Sequence, residues 1–229
     1  SALDADSEGE EGKFYVWTDE ELKDILNTKE LKLFKEIFVV YDKPNFEGKY
    51  HLHVTKTNQD SYINNKASAD LICAKLLKIR NGRVRPATDE KILVSWNSLL
   101  MLGLINAYKV TGDNNYYNSA KKCFDFIRNN MWVNNKLYAC YHDKPYFNAY
   151  LDDYAFLSKA CIEFLKVEWN EKDFSFLENL TDSLINSFQD KENGGFYYTS
   201  DTHEELIYRP KSYMDESLPS GNSVATEVL

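Results

Sequence analysis

The sequence predicts an all-α protein built from stacked helical hairpins, and three observations predict it. Segments starting near residues 91, 151 and 220 each run from a polar lead into a helix that is apolar on most sides, as a helix packed by several neighbours must be. The helices following the first two carry one apolar stripe and one charged face, the pattern of a helix with one side in water. The order inner, outer, inner, outer, inner recurs with a period of about 60 residues, which reads as a solenoid or closed toroid.

Composition fits that class. A chain of 229 residues suits one large domain or two small ones and can bury a sizeable core. It is 43% apolar and 14% aromatic, with a formal charge of -9. That charge, without a basic stripe, excludes a nucleic-acid phosphate backbone or an anionic membrane surface as partner. No apolar run reaches the ~18 residues of a membrane span, and no basic-then-apolar leader is present. Cys73, Cys123, Cys140 and Cys161 are far apart and form no CxxC pair; they read as reduced core cysteines of a cytoplasmic protein, with neither metal nor cofactor expected. Both ends read as cut, the first in an acidic loop and the second in a helix just begun.

Residues 4–12 form an acidic loop punctuated by glycine. Asp4, Asp6, Glu8 and Gly9 begin like a calcium loop, but Tyr15 stands where the twelfth-position Glu belongs. The loop is therefore a solvated loop or a carboxylate rim above a pocket. Phe14–Trp17 reads as a short strand. Thr18 with Glu21 makes a capping box that opens a helix carrying Leu22, Ile25 and Leu26, and a second helix covers 29–38. Residues 45–49 form a turn and 50–54 alternate like a strand. His51 and His53 would share one strand face, a spacing metals can use, but they lack a third ligand. Residues 58–80 read as one long helix ending near Asn81-Gly82.

The regular part follows. Residues 91–110 form the first inner helix. The next, outer helix carries Tyr116, Ala120, Cys123, Phe124, Ile127 and Met131 on its stripe. Residues 151–168 and 173–188 repeat the pair, and a third inner helix begins at Ser220. Turns from inner to outer helix are short. Returns to the next inner helix are long, hold short strands at 137–141 and 195–199, and include His142, His203 and Arg209. If the inner helices run parallel, the long loops lie over the face that holds their N-termini, where a site would be built.

Taken together, the segments Asp4–Gly9, Gly12–Trp17, Asn45–Lys49, Arg83–Pro86, Asp89–Lys91 with Trp96-Asn97, Leu151–Phe156, Gly194–Phe196, Arg209–Lys211 and Pro219–Ser223 resemble the YyaL-type, or spermatogenesis-associated, thioredoxin-domain family. Ser98 departs from the pattern, which has Gly after Trp-Asn. The resemblance implies a six-hairpin glycosidase-like toroid, similar to N-acylglucosamine 2-epimerases and other enzymes of carbohydrate metabolism. On that reading residues 1–229 are a single partial (α/α) toroid with short β-hairpin excursions in the loops. Leading loops and helices fill 1–85, regular repeats fill 86–229, and a thioredoxin-like domain of the same full-length chain lies upstream. The family's reaction is not established.

Candidate chemistry gathers at the inner-helix starts. Asp152 and Asp153 sit where the helix dipole favours negative charge. Adjacent helical side chains diverge by about 100°, so one can face a site while the other caps the helix. A glycosidase pair then needs a second carboxyl roughly 5 to 9.5 Å away, from Asp89, Asp215 or the Asp4/Asp6 loop. Trp96 and Tyr154 stack on a sugar ring or fill the core. Arg85 and Arg209 clamp an anionic group or pair internally. Ser220, Asn222 and Asn97 are polar contacts or ordinary caps. An epimerase would instead need a base such as His142 or His203. The expected function is carbohydrate-active or carbohydrate-binding, with a sugar or sugar derivative as partner. The alternative is a non-catalytic scaffold for the redox domain.

Overall fold

Helices α1 (Asp19–Ile25), α2 (Thr28–Phe38), α3 (Gln59–Asn64), α4 (Lys66–Arg80), α5 (Val94–Thr111), α6 (Asn114–Asn130), α7 (Leu151–Val167), α8 (Glu171–Phe188) and α9 (Gly221–Val228) dominate the computed structural model, which describes residues 2–39 and 43–229. The short strands between them are β1 (Ala2–Leu3), β2 (Asp6–Ser7), β3 (Glu10–Glu11), β4 (Thr88–Asp89), β5 (Ile92–Leu93), β6 (Trp132–Val133), β7 (Lys136–His142) and β8 (Lys144–Asn148). The all-α class with β excursions in the loops is the observed one. Two compact units divide the chain, Ser1–Asp89 and Glu90–Leu229. No described helix is long and apolar enough to cross a membrane.

In the first unit, α1 opens on the expected capping box. Thr18 N–H donates to Glu21 (2.9 Å) and Glu21 N–H to Thr18 Oγ1 (3.2 Å). Asn27 and Glu30 repeat the device at α2. Leu22, Phe34, Ile37, Ile72 and Leu76 form the core with Trp17 and Tyr50. The acidic loop is a hairpin, with β2 paired to β3 and its tip residues Glu8 (φ 54) and Gly9 (φ 77) left-handed. Two such residues make the tight turn that matches strand twist. No described group of three or more His, Cys, Asp or Glu is placed to hold a metal ion.

Three expectations fail here. Phe14–Trp17 is not a strand, because its carbonyls are spent elsewhere. The Arg83 guanidinium takes those of Lys13, Phe14 and Val16 (3.3, 3.0 and 2.7 Å) while lying 4.1 Å over the Trp17 ring. The strand over 50–54 shrinks to an isolated bridge between Trp17 and Tyr50. Asn45 captures both backbone groups of His51 (2.8 and 2.9 Å), removing them from any ladder. The single helix over 58–80 breaks at Asn65 (φ -115, ψ 21), whose side chain caps the Ser61 carbonyl at 3.0 Å.

In the second unit, α5, α7 and α9 pack side by side as inner helices, while α6 and α8 pair with α5 and α7. Gly112 (φ 70) ends α5 in the left-handed region, and Asp113 caps α6 two residues before Asn115. Asn170 caps α8. Phe124, Phe156, Phe164, Leu180 and Leu184 lie in one core with Met101 and Ile105. Buried Asp173 ties the outer helices, accepting from Lys121 (2.8 Å) and Arg128 of α6. Ser98, where the family pattern has Gly, satisfies its buried hydroxyl on the Val94 carbonyl at 2.8 Å. Cys161 is buried and Cys123 and Cys140 half-buried, but Cys73 is exposed rather than in the core.

The first return loop carries the expected strand at 137–141 within β7, which pairs with β5, β6 and β8. The second, residues 189–220, makes only the bridge Gln189 to Phe196 where a strand was expected. Tyr197 N–H goes to Phe188 O and Tyr198 N–H to Pro210 O, both at 2.8 Å. Phe196 uses both backbone groups on the Asn222 side chain. An extended segment whose partners are scattered builds no ladder.

Candidate functional site

The N-terminal turns of α5, α7 and α9 meet around Asp152 and Asp153. Asp153 is 4% exposed and spends one oxygen on Ser95 N–H of α5 and the other on Tyr150 N–H ahead of its own helix, both at 2.9 Å. Burial pushes its carboxyl up to about 6, against the pull of those donors. On α9, a Cβ added at Gly221 would lie 2.1 Å from Asp152 Oδ1, so only glycine leaves that carboxyl its place.

Asp152 differs from its neighbour. Its carboxyl has no hydrogen-bond partner among the described residues, and burial raises it to about 6. It opens into a cleft of about 430 Å³ lined also by Tyr198, Ser212, Met214, Glu216 and Ser220, a volume in the range of small-molecule sites. Tyr198 is backed by Tyr150, stacked at 5.0 Å, and burial lifts its hydroxyl to about 12, with Asp152 and Asp153 adding to the shift.

The other residues singled out in the sequence are distributed as follows. Ser220 lines the cleft but is a cap, its hydroxyl donating to Ser212 O at 2.9 Å and accepting from Ser223 N–H. Asn222 is buried and clamps Phe196 N–H and O (2.7 and 2.8 Å) and Ser212 O (3.0 Å). Asn97 turns back to Leu93 O at 2.8 Å. Tyr154 is buried, its hydroxyl accepting from Leu137 N–H at 3.1 Å and its ring on Phe188. Arg209 donates to the carbonyls of Thr199 and Ser187 and lies 4.2 Å over the Tyr197 ring; its partners among the described residues of this unit are backbone and ring rather than the Asp pair. Trp96 is 62% exposed on α5 and does not line the cleft. Arg85 and Asp89 lie exposed in the first unit, Asp89 within β4.

Among second-carboxyl candidates of this unit, Asp215 accepts Ser220 N–H on Oδ1 at 2.7 Å and does not line the cleft. Of the histidines, His203 accepts from Ser200 N–H at Nδ1 (3.1 Å), which leaves Nε2 as the donor to Asn148 O (3.2 Å). Both ring nitrogens are committed, so His203 cannot act as a free base. His142 sits at the β7–β8 tip, 3.2 Å from Asp143. Tyr198 and Glu216 were not singled out in the sequence. Nothing local marks either, since each reaches the cleft through a loop held by distant groups. In the first unit, a cleft of about 410 Å³ is lined by Lys13, Lys49 and Arg83, but each is paired, with Glu8, Glu10 and Glu21.

No family model matches the chain. It is 25% identical over 96% of its length to the uncharacterized protein B0495.5 of Caenorhabditis elegans. To human spermatogenesis-associated protein 20 it is 26% identical over 68% of its length. The chain spans 34% and 21% of these two relatives. The resemblance to the spermatogenesis-associated family is thereby borne out. Among solved structures, the chain is similar to a family 105 glycoside hydrolase of C. acetobutylicum (16% identity, 78% of this chain and 59% of the other, TM-score 0.47). It is also similar to cellobiose 2-epimerase of Bacillus thermoamylovorans (14%, 76% and 60%, TM-score 0.46).

Proposed function

We propose that the second unit is a carbohydrate-active module whose site is the cleft over the first turn of α7, with Asp152 as general acid/base and Tyr198 as the ring against which the sugar lies. The observation that carries this reading is the half-buried Asp152 carboxyl, unpartnered in the cleft while its neighbour Asp153 holds the helix starts together. A carboxyl raised to about 6 by burial holds a usable share of its protons near neutral pH, as a general acid must. The commitment of both His203 nitrogens favours carboxyl chemistry over a histidine-based epimerisation.

Charge sets the substrate class. Among the described residues, the cleft lining includes Asp152 and Glu216 but no Lys, Arg or His. Like charges in so confined a space repel an anionic ligand, so the ligand is a neutral sugar or glycoside rather than a sugar phosphate or uronate.

The test is a thermal-shift screen of the intact protein with glucose, mannose, N-acetylglucosamine and their disaccharides, beside glucose phosphate and glucuronate. A saturable shift with a neutral sugar, lost in Tyr198→Ala, is expected. If no sugar shifts the wild-type protein, the reading fails and the non-catalytic scaffold for a thioredoxin-like domain takes its place.

A further inference from the structure

We propose that Glu216 is the second carboxylate of the site, the base that activates water against the bond whose leaving oxygen Asp152 protonates; this rests on the reading of the cleft as glycoside-processing. Among the described residues, Asp152 and Glu216 are the two carboxyls that line the cleft. They come from different elements, Asp152 from the first turn of α7 and Glu216 from the strap of residues 212–219. Asp153 cannot take the role, because both its oxygens already accept backbone N–H groups. Asp215, next to Glu216 in sequence, does not line the cleft and turns Oδ1 to Ser220 N–H at 2.7 Å.

The strap is anchored where it must be to aim Glu216. Its start is fixed because Ser212 O accepts from Ser220 Oγ (2.9 Å) and Asn222 Nδ2 (3.0 Å), the N-cap and a first-turn residue of α9. Its crest is folded by Glu216 N–H donating to Leu218 O at 3.1 Å. The strap and Asp152 are thus both referred to one turn of α9, through Ser220 and Asn222 on one side and Gly221 on the other. A side chain on a strap pinned at both ends is positioned without belonging to a helix, and its exposure leaves room for the water it must deprotonate.

The step balances as hydrolysis with inversion. Asp152 gives its proton to the glycosidic oxygen as the bond from that oxygen to the anomeric carbon breaks. Water adds its oxygen to the anomeric carbon from the other face, and its proton passes to Glu216. The products are the free sugar and the released alcohol. Proton exchange with solvent returns Asp152 to the acid and Glu216 to the base form.

Nitrophenyl and dinitrophenyl α- and β-glycosides of glucose, mannose and N-acetylglucosamine, incubated with the intact protein, test this. Glu216→Gln is expected to lower kcat by about 10²–10⁴-fold with KM and the sugar-induced thermal shift kept. Azide is expected to rescue Glu216→Ala as a glycosyl azide of inverted configuration, since azide needs no base. Asp152→Asn should instead retain most rate on dinitrophenyl glycosides, whose leaving group needs no proton. An active wild type with Glu216→Gln near the wild-type rate overturns the role of Glu216 and leaves the site reading standing. Loss of activity without azide rescue in Glu216→Ala, or a product of retained configuration, overturns the base role. A wild type inert on the whole panel removes both.

Discussion

The two long connections of the second unit occupy equivalent places in the repeat and are built in opposite ways. Residues 131–150 use backbone ladders, with β7 paired to β5, β6 and β8. Residues 189–220 use side chains as substitutes for missing strands. Asp190 accepts from the N–H groups of Glu192 and Asn193, the Tyr197 hydroxyl and Lys211, and the ion pair with Lys211 holds its carboxyl well below the usual range. Asn222 gives Phe196 the two hydrogen bonds a neighbouring strand would have given. Ladders make a rigid wall with regular geometry, while side-chain clamps let the chain bend. It is the clamped connection that contributes Tyr198, Ser212, Met214 and Glu216 to the cleft.

Breaking a clamp should therefore do more damage than trimming the sheet. Asn222→Ala strands Phe196 N–H and O and one bond to Ser212 O inside the protein. Unpaired buried groups cost about 1–3 kcal/mol each, so a loss of roughly 3 kcal/mol or more is expected in a denaturant titration. Asn222→Asp, which keeps one acceptor, should recover only part of it. If Asn222→Ala unfolds at the wild-type midpoint, the clamp description of this loop is wrong.

The adjacent aspartates carry the same contrast to a finer scale. Asp153→Asn keeps one acceptor but turns an N–H₂ group against the donor of Ser95 or Tyr150, at a cost of about 2 kcal/mol. Asp152→Asn breaks no hydrogen bond. Its carboxyl sits near 6 folded against 3.8 as the reference, so between about pH 4 and 6 the folded state binds more protons than the unfolded one. Stability from this group is then highest below pH 4, falls as pH rises through 6, and stays low above it. Asp152→Asn should flatten that slope and raise stability at pH 7 by on the order of 1 kcal/mol, allowing for solvent screening of a half-exposed group. Thermal unfolding across that pH range measures it, and equal destabilisation by both substitutions would remove the division of labour.

Gly221→Ala asks for less stability and more function. The new methyl would sit 2.1 Å from Asp152 Oδ1 and 3.2 Å from Leu151 Cγ, and the free end of Asp152 is what can give way. A change in stability below about 1 kcal/mol is expected, with glycoside turnover down at least about tenfold because the displaced acid no longer reaches its bond. Unchanged turnover would mean that the position of Asp152 does not matter to the chemistry.

Much of this architecture was legible because it is local. The apolar periods of 91–110, 151–168 and 173–188 became α5, α7 and α8, and the polar clusters before them did mark turns that meet, through Ser95, Asp153 and Gly221. What escaped depends on partners remote in sequence. Alternation at 195–199 reads as a strand, but whether its backbone finds a ladder was decided by Asn222 and Pro210. Phe14–Trp17 lost its carbonyls to Arg83, almost 70 residues away by sequence. Asn97 and Tyr154 stand at inner-helix starts as expected, but backbone takes both polar groups, Asn97 turning to Leu93 O one helical turn back and Tyr154 accepting Leu137 N–H from β7. Glu216 lies in a stretch with no period at all, so only the anchoring of its loop reveals it.

The ladder-built connection supplies the smallest effect and the control for the rest. His142, Asp143 and Lys144 form the β7–β8 tip, with Asp143 left-handed (φ 55) and its side chain 91% exposed. The imidazole of His142 faces Asp143 in a solvent-exposed pair, and such pairs contribute well under 1 kcal/mol. Strand pairing at Tyr141 with Pro145 and at Cys140 with Tyr146 holds the hairpin without the histidine side chain. His142→Ala should leave the unfolding midpoint within about 0.5 kcal/mol of wild type and glycoside turnover unchanged. Loss of turnover in His142→Ala at unchanged stability would move the base of the reaction to this hairpin, reviving a histidine-based epimerisation and making the regular wall, rather than the clamped one, the chemical side of the molecule.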